Sequence, residues 1–391
     1  MHAKDSWNKF AVQMNKERFD FIIIGGGIFG CYAASYLARR GAKVAILEKE
    51  SRLFQKASLV NQARLHSGYH YPRSIATAAM SDEHKTRFTE EHKAFVNHTF
   101  EKFYAIDRYG SFTDGLQFER FCNYLNIRCD RVEFHPLFNF DRLEALYQTE
   151  EHSFDPVLLG NYYRDIVENN PAITVFKSAQ IQTAEAQGNE WSVQILLTKE
   201  QFVTMTAPVT INATYAATNA INRMFGLRNL ELTHEISEIA FVHSPQFGLR
   251  GLTVMDGPFG SIMPYGLSGL LSLSSVAYTH HKISFDTLPR FDCQAPETDP
   301  SCKPEAPGIC TECARRPASN APKMLAQMQQ YFAEQVQFSS FFSYYTIKSK
   351  LKSSYIDDGR PTEISMLHET PKFYCLFAGK INSIYEIEKI G

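Results

Sequence analysis

Residues 20–48 read DFIIIGGGIFGCYAASYLARRGAKVAILE, and the order of residue types in this stretch decides the fold class. An apolar strand over Phe21–Ile24 runs into Gly25-Gly26-Gly27-Ile28-Phe29-Gly30. An Ala/Leu-rich helix follows to about Arg40, and a second apolar strand over Lys43–Leu47 ends on Glu48. The pattern predicts a βαβ unit that holds the pyrophosphate of a dinucleotide. Gly25 permits the tight turn, Gly27 admits the phosphates to the backbone, and Gly30 lets helix and strand pack closely. The helix N-terminus aims free N–H groups and its positive end at the anion. Glu48 lies eighteen residues past Gly30, where a carboxylate accepts hydrogen bonds from ribose hydroxyls and repels a 2′-phosphate.

The remaining composition narrows the class. The chain has 391 residues, 44% hydrophobic and 21% charged, which suits two packed domains of an ordinary globular protein. A net charge of −2 argues against a nucleic-acid partner. No apolar run approaches the roughly 20 residues of a membrane span, so no transmembrane segment is expected. The N-terminal stretch lacks an apolar core of signal-peptide type, and a cytoplasmic location is the default expectation.

Past Glu48, the segment NQARLHSGYHYPRS (61–74) is dense in hydrogen-bonding side chains. Asn139–Leu146 and Val157–Val167 suggest amphipathic helices. Ile173–Phe176, Trp191–Leu197 and Phe202–Thr206 suggest a small antiparallel sheet. Val209–Ala213 reads as a strand followed by a helix over Ala217–Phe225. Residues 229–290 alternate apolar runs with Gly/Pro turns, as antiparallel sheet does. A helix is expected over 321–338 and a last one opening at Gly379. The order implies an α/β fold: a Rossmann-like cofactor-binding domain with an inserted antiparallel β-rich substrate domain. The cofactor-binding part is assigned to 18–80, 150–225 and 340–391, and the substrate or cap part to 81–149 and 226–339, with a Cys-rich loop at 292–317.

Four of the eight cysteines, Cys293, Cys302, Cys310 and Cys313, crowd into that loop with C-x8-C-x7-C-x2-C spacing. Four thiolates around a tight turn suit a structural zinc, with an iron–sulfur cluster, free thiols or disulfides as alternatives. Cys31 falls in the first turn of the glycine-loop helix and is expected to pack there.

Three segments carry a resemblance to the FAD-dependent oxidoreductases of the D-amino-acid oxidase and glycine oxidase superfamily. They are FDFIIIGGGIFGCYAASYLARRGAKVAILEKE, VTINATYAATNAINRMFG and GRPTEISMLHETPKFYCLFAGKINSIYEI. Within it, ASLVNQARLHSGYHYPRSIATAAM is most similar to the L-2-hydroxyglutarate dehydrogenase-like branch. Two features depart from the pattern: the closing turn is Phe377-Ala378-Gly379-Lys380-Ile381-Asn382, and the four-cysteine segment is not shared.

The resemblance implies bound FAD, which makes the Rossmann-like part an FAD-binding domain. Expected cofactor contacts are Gly25, Gly27, Ile28, Phe29, Gly30, Glu48 and Lys49 at the first turn. Asn61, Gln62, Arg64, Leu65 and His66 follow on the flavin loop, then Ile181, Ala213 and Thr214. Gly379, Lys380 and Ile381 would stabilise negative charge on the flavin from the last helix. His66 and His70 are the candidate bases for an alcohol substrate, and a histidine-linked flavin in a related branch makes His66 a candidate attachment point. Arg64 and Arg360 are candidate cations for a substrate carboxylate. Tyr265, His280 and His281 read as packing residues. The expected activity is removal of a hydride from a CH–OH carbon of a small polar, 2-hydroxy-acid-like substrate, with O2, a quinone or a protein as electron acceptor. An amine or amino-acid oxidase on the same fold, and a non-catalytic flavin- or zinc-stapled interaction protein, are the alternatives.

Overall fold

The computed structural model describes residues 16–70, 72, 84–198, 201–295, 301–353 and 362–390. Strand Phe21–Ile24, helix Ile28–Arg39 and strand Val44–Leu47 form the predicted βαβ unit. Phe21–Ile24 sits inside a six-stranded sheet between Val44–Leu47 and Val209–Asn212, with Phe21 level with Val44 and with Val209. Ile173–Phe176 flanks one side, and Lys372–Phe377 with Glu363–Glu369 closes the other. All neighbours run parallel except the last pair. Both faces of such a sheet are covered, so its strands read as apolar runs rather than alternating ones.

Ile173–Phe176 therefore belongs to this sheet and not to the small antiparallel one. That smaller sheet is built from Gln180–Gln187, Glu190–Thr198 and Gln201–Ala207, with Lys16–Arg18 added in parallel. Its outer strand is mostly exposed and polar, which hides it from an apolar pattern search.

The second layer is a nine-stranded, mostly antiparallel sheet. It carries Lys102–Asp107, Cys129–Arg131, Leu143–Thr149 and the strands between Leu232 and Ser284. Ser339–Leu351 pairs along its length with Leu232–His243, so the chain stays in this sheet until Leu351. Leu143–Thr149 is a strand where a helix over Asn139–Leu146 was expected; its partner Lys102–Asp107 fixes it through pairs such as Tyr104 with Tyr147. Helix Ala321–Gln329 packs Met324 and Met328 on the back of the sheet. It stops well short of residue 338, because the Tyr331 carbonyl and the Ala333 N–H bond to Asn139 and Leu137 instead of continuing the helix. The last helix is 3₁₀ rather than α and spans Ile381–Ile390.

A three-stranded sheet of Arg64–Leu65, His152–Phe154 and Val96–Asn97 joins the two layers. It sets Arg64 level with Ser153 and thus beside Glu151. Among the described residues no helix is long and apolar enough to cross a membrane.

Candidate functional site: a dinucleotide cradle opening on a buried charge cluster

A cavity of about 2120 Å³ lies between the two large sheets, at the carboxyl ends of the parallel strands. Ligand pockets for drug-sized molecules run to roughly 300–1,000 Å³, so this one has room for a long dinucleotide and a further ligand. Open parallel sheets bind nucleotides at this edge.

The glycine loop forms one end. Gly25 has φ +105°, and a Cβ there would lie 2.8 Å from the Ala213 carbonyl oxygen. A Cβ on Gly30 would lie 1.9 Å from the Gly25 oxygen, so helix and strand meet here at backbone contact. Gly27 is the N-cap of helix Ile28–Arg39 and supplies no side-chain cap. Ser58 partly replaces one, accepting from the Ile28 N–H at 3.0 Å. A cradle that any side chain would fill, at the positive end of a 12-residue helix, fits a pyrophosphate.

Glu48 ends the second strand as expected, but its carboxylate is engaged by its own backbone. Oε2 accepts from the Gly26 N–H at 2.7 Å and Oε1 from the Glu50 N–H at 2.8 Å. Burial pushes this carboxyl up, against hydrogen bonds that favour the charged form. Glu48 still lines the cavity, together with Ile181, Ala213 and Thr214. Cys31 packs as expected: it is fully buried, and burial raises its thiol.

Gly379, Lys380 and Ile381 line another part of the wall, and the Gly379 N–H donates to Thr362 Oγ1 at 2.9 Å. Lys49 also lines the cavity, yet its Nζ donates to the carbonyls of Ser301, Ala306 and Pro307 at 3.2–3.3 Å. With Lys56, which donates to the Pro307 oxygen at 2.8 Å, it clamps the Cys-rich loop over this end. Leu65 turns away from the cavity into the core containing Phe88 and Phe154.

The flavin-loop candidates divide by role. Asn61 shapes the chain: Oδ1 accepts from the Ala63 N–H at 2.7 Å and Nδ2 donates to the Ser58 carbonyl at 3.0 Å, holding Ala63 at φ +54°. Gln62 crosses to the other sheet and donates to Ser274 Oγ at 2.8 Å. His66 and His70 both line the cavity with ring centres 6.0 Å apart. Arg64 is buried and donates through Nη2 to Thr253 Oγ1 at 2.9 Å and to Ser261 Oγ. Its Nε lies 3.4 Å from Glu151 Oε2, which also accepts from the Tyr104 hydroxyl at 2.9 Å. The other Glu151 oxygen is 3.8 Å from His66 Nδ1. Lys102, Tyr104, Glu151, Thr253 and Ser261 carry no local motif; sheet register brings Lys102, Tyr104, Thr253 and Ser261 to Arg64, and the link between Leu143–Thr149 and His152–Phe154 brings Glu151.

Arg360 lies outside the described residues. Tyr265 is buried and donates to the Leu59 carbonyl at 2.5 Å, His281 pairs with Glu238 at 2.7 Å, and His280, which pairs with Glu235 at 3.1 Å, lines the cavity. Cys293, Cys302, Cys310 and Cys313 do line one wall of the cavity, as free thiols. Among the described residues no group of three or more metal-ligating side chains is placed to hold an ion, so structural zinc finds no support. The thiols have other neighbours. Cys302 Sγ accepts from the Gly308 N–H at 3.3 Å, and Cys313 Sγ from the Arg315 N–H at 3.4 Å. Cys293 and Cys310 pack against a small apolar cluster of Ile236, Phe291, Tyr345 and Ile347. Burial and the neighbouring thiols push Cys310 up to about 12.

Comparison with known proteins agrees with this geometry. A family model described as FAD dependent oxidoreductase (DAO) matches residues 20–267. The FAD-dependent monooxygenase FPY4 of Fusarium mangiferae is 24% identical over 262 residues, 66% of this chain and 64% of that protein. The match thus spans less than two thirds of this relative's length. L-alpha-glycerophosphate oxidase from Mycoplasma pneumoniae, solved with FAD bound, superposes with a TM-score of 0.68 at 16% identity, over 96% of this chain and 93% of that one. Glycine oxidase from Geobacillus kaustophilus gives 0.66 at 14% identity, over 95% and 92%. At such identities the likeness to these two structures is one of fold. The glycine cradle, the cavity at the strand ends and the family match converge: the chain belongs to the DAO family of FAD-dependent oxidoreductases.

Proposed function

We propose that this protein is an oxidase or dehydrogenase that takes a hydride from a CH–OH carbon of a small polar, 2-hydroxy-acid-like substrate. The observation that carries this reading is the buried cluster at the cavity wall: Arg64, held between Glu151 and the hydroxyls of Thr253 and Ser261, with His66 beside it. A fixed guanidinium can hold a carboxylate or developing oxyanion, and the His66 and His70 imidazoles on the same wall can hold and orient the substrate hydroxyl by hydrogen bonds. FAD, when bound, supplies the hydride acceptor, and the chain's part is to position the substrate and move the proton. Gly25, Gly27, Gly30 and the Ile28 end of the helix would hold its pyrophosphate; Ala213, Thr214 and Ile181 line the same end of the cavity. Likeness of the segment 57–80 to the L-2-hydroxyglutarate dehydrogenase-like branch supports the alcohol over the amine reading.

The test is an anaerobic screen of 2-hydroxy acids and amino acids, following loss of the oxidised flavin spectrum. Bleaching by hydroxy acids, lost on replacing His66 and His70 together, supports the proposal. Bleaching by amino acids alone overturns it. Oxygen insertion is a second reading, favoured by the monooxygenase name of FPY4. Labelled dioxygen separates the two: an oxidase leaves the label in peroxide, a monooxygenase in the product.

A further inference from the structure

Lys102 is 1% exposed and contributes no motif to the sequence, yet it sits at the centre of the cluster. Its strand runs parallel to Gly251–Met255, with Lys102 level with Gly251 and Tyr104 level with Thr253. On the other side Thr253 is level with Ser261. Side chains two apart on a strand share a face, so Lys102, Tyr104, Thr253 and Ser261 all point the same way. Gly251 makes the approach possible, because a Cβ there would lie 2.9 Å from the lysine Cδ. The Nζ reaches Thr253 Oγ1 at 2.5 Å, and Thr253 Oγ1 lies 2.8 Å from Ser261 Oγ. Thr253 and Ser261 both line the cavity, whereas Lys102 lies behind them.

Each hydroxyl has one proton and two lone pairs, and this fixes the hydrogen-bond directions. Arg64 is a permanent donor to both hydroxyls. If Lys102 is an ammonium, it also donates to Thr253. The Thr253 proton must then point to Ser261, and the Ser261 proton is left for a cavity oxygen or for the distant Leu252 carbonyl at 3.3 Å. If Lys102 is a neutral amine, the bonds along the chain reverse while those from Arg64 stay: Thr253 donates to Nζ, Ser261 donates to Thr253, and Ser261 accepts from the cavity. Both arrangements leave the three groups satisfied, and they differ by one proton.

We propose that Ser261, Thr253 and Lys102 form a proton relay that draws the hydroxyl proton of the substrate from the cavity wall into the interior. The proposal rests on the alcohol-oxidation reading for its substrate, but the relay is testable without turnover. In the forward step the substrate O–H breaks as a Ser261 O–H forms. The former Ser261 proton passes to Thr253, and the former Thr253 proton passes to Lys102, which becomes an ammonium. One proton moves and no electrons do. The groups facing Lys102 set its resting state. Burial and the Arg64 guanidinium hold its ammonium well below the usual lysine range, while Glu151 opposes them and the Tyr104 ring lies 4.6 Å from Nζ. Glu151 Oε2 serves Arg64 and Tyr104, and the hydrogen bond of the lysine Nζ goes to Thr253.

The test uses the FAD-loaded full chain and acetate as a pure acceptor, with binding read from the flavin spectrum across pH. Once Lys102 is protonated, Ser261 gains a donor for the carboxylate. Acetate should then bind about tenfold or more tightly as pH falls through the lysine's titration, taking up one proton. Thr253→Val keeps both the lysine charge and Ser261 but cuts the chain between them, and Ser261→Ala removes the terminal donor. Both should lose most of the pH linkage while retaining FAD. A wild-type affinity that is independent of pH, no acetate binding at any pH, or full linkage surviving in Thr253→Val overturns the relay; the last would mean that the lysine acts through its charge alone. None of these results depends on which substrate the enzyme oxidises.

Discussion

Replacing Gly30 by alanine adds one methyl group at the tightest contact in the cradle. Its Cβ would fall 1.9 Å from the Gly25 carbonyl oxygen, over 1 Å inside any permitted carbon–oxygen approach. The obstacle is backbone and not a flexible side chain, so helix Ile28–Arg39 has to move off strand Phe21–Ile24. Overpacking of this kind costs about 3 kcal/mol. The displaced element is the one whose N-terminus faces the pyrophosphate, so the same cost falls on FAD affinity, a loss of about a hundredfold. Gly41→Ala is the matched control. Gly41 has φ +89° and a Cβ there would have nothing within 4 Å, so alanine meets only backbone strain of about 1 kcal/mol. Urea unfolding of the apoprotein and FAD titration by fluorescence quenching read both effects. Gly30→Ala should lower the urea midpoint and FAD affinity together, and Gly41→Ala the midpoint alone. A Gly30→Ala protein with wild-type FAD affinity and midpoint refutes the close-contact argument.

Other consequences follow from single groups. His234 is buried, with Nδ1 2.7 Å from Ser349 Oγ, and burial lowers it from 6.5 to about 4. The unfolded chain therefore binds a proton that the folded one refuses between those values, and stability drops as pH falls from about 6.5 to about 4, by up to about 3 kcal/mol. His234→Asn should flatten that part of the urea-midpoint profile, and an unchanged slope would contradict the assignment. Glu48→Ala strands the Gly26 and Glu50 N–H groups, costing about 1–3 kcal/mol in apoprotein stability by the same urea assay. Lys49→Met combined with Lys56→Met removes the clamp on the Cys-rich loop, so aromatic-disulfide labelling of Cys302 and its neighbours should quicken roughly tenfold. Unaltered labelling would show that the loop is held elsewhere.

What could be read from the sequence was what is local. The first βαβ unit lies within thirty residues, and its glycines, helix and acid occupy their positions because each is dictated by neighbours along the chain. The strand at Val209–Asn212 was legible for the same reason. Leu143–Thr149 was not: Leu146 is buried where alternation calls for an outward-facing residue, and pairing with Lys102–Asp107 makes the segment a strand. The cluster around Arg64 was legible in one member only. Residues 64, 102, 151, 253 and 261 come from five segments, and a lone Lys, Glu, Thr or Ser reads as surface until the register of three strands stacks them on one face. Cysteine spacing pointed to a metal because it describes which thiols share a loop. Whether their sulfurs converge depends on the loop's own backbone N–H groups, two of which bond to Cys302 and Cys313.

The central claim is that the cavity between the two sheets holds FAD. Its most direct measurement is the visible spectrum of the purified chain, followed by release and identification of the chromophore after denaturation. A flavin spectrum and one FAD per chain, either as purified or after reconstitution, is the predicted result. A protein that stays colourless after incubation with FAD, or that releases no dinucleotide, contradicts the account.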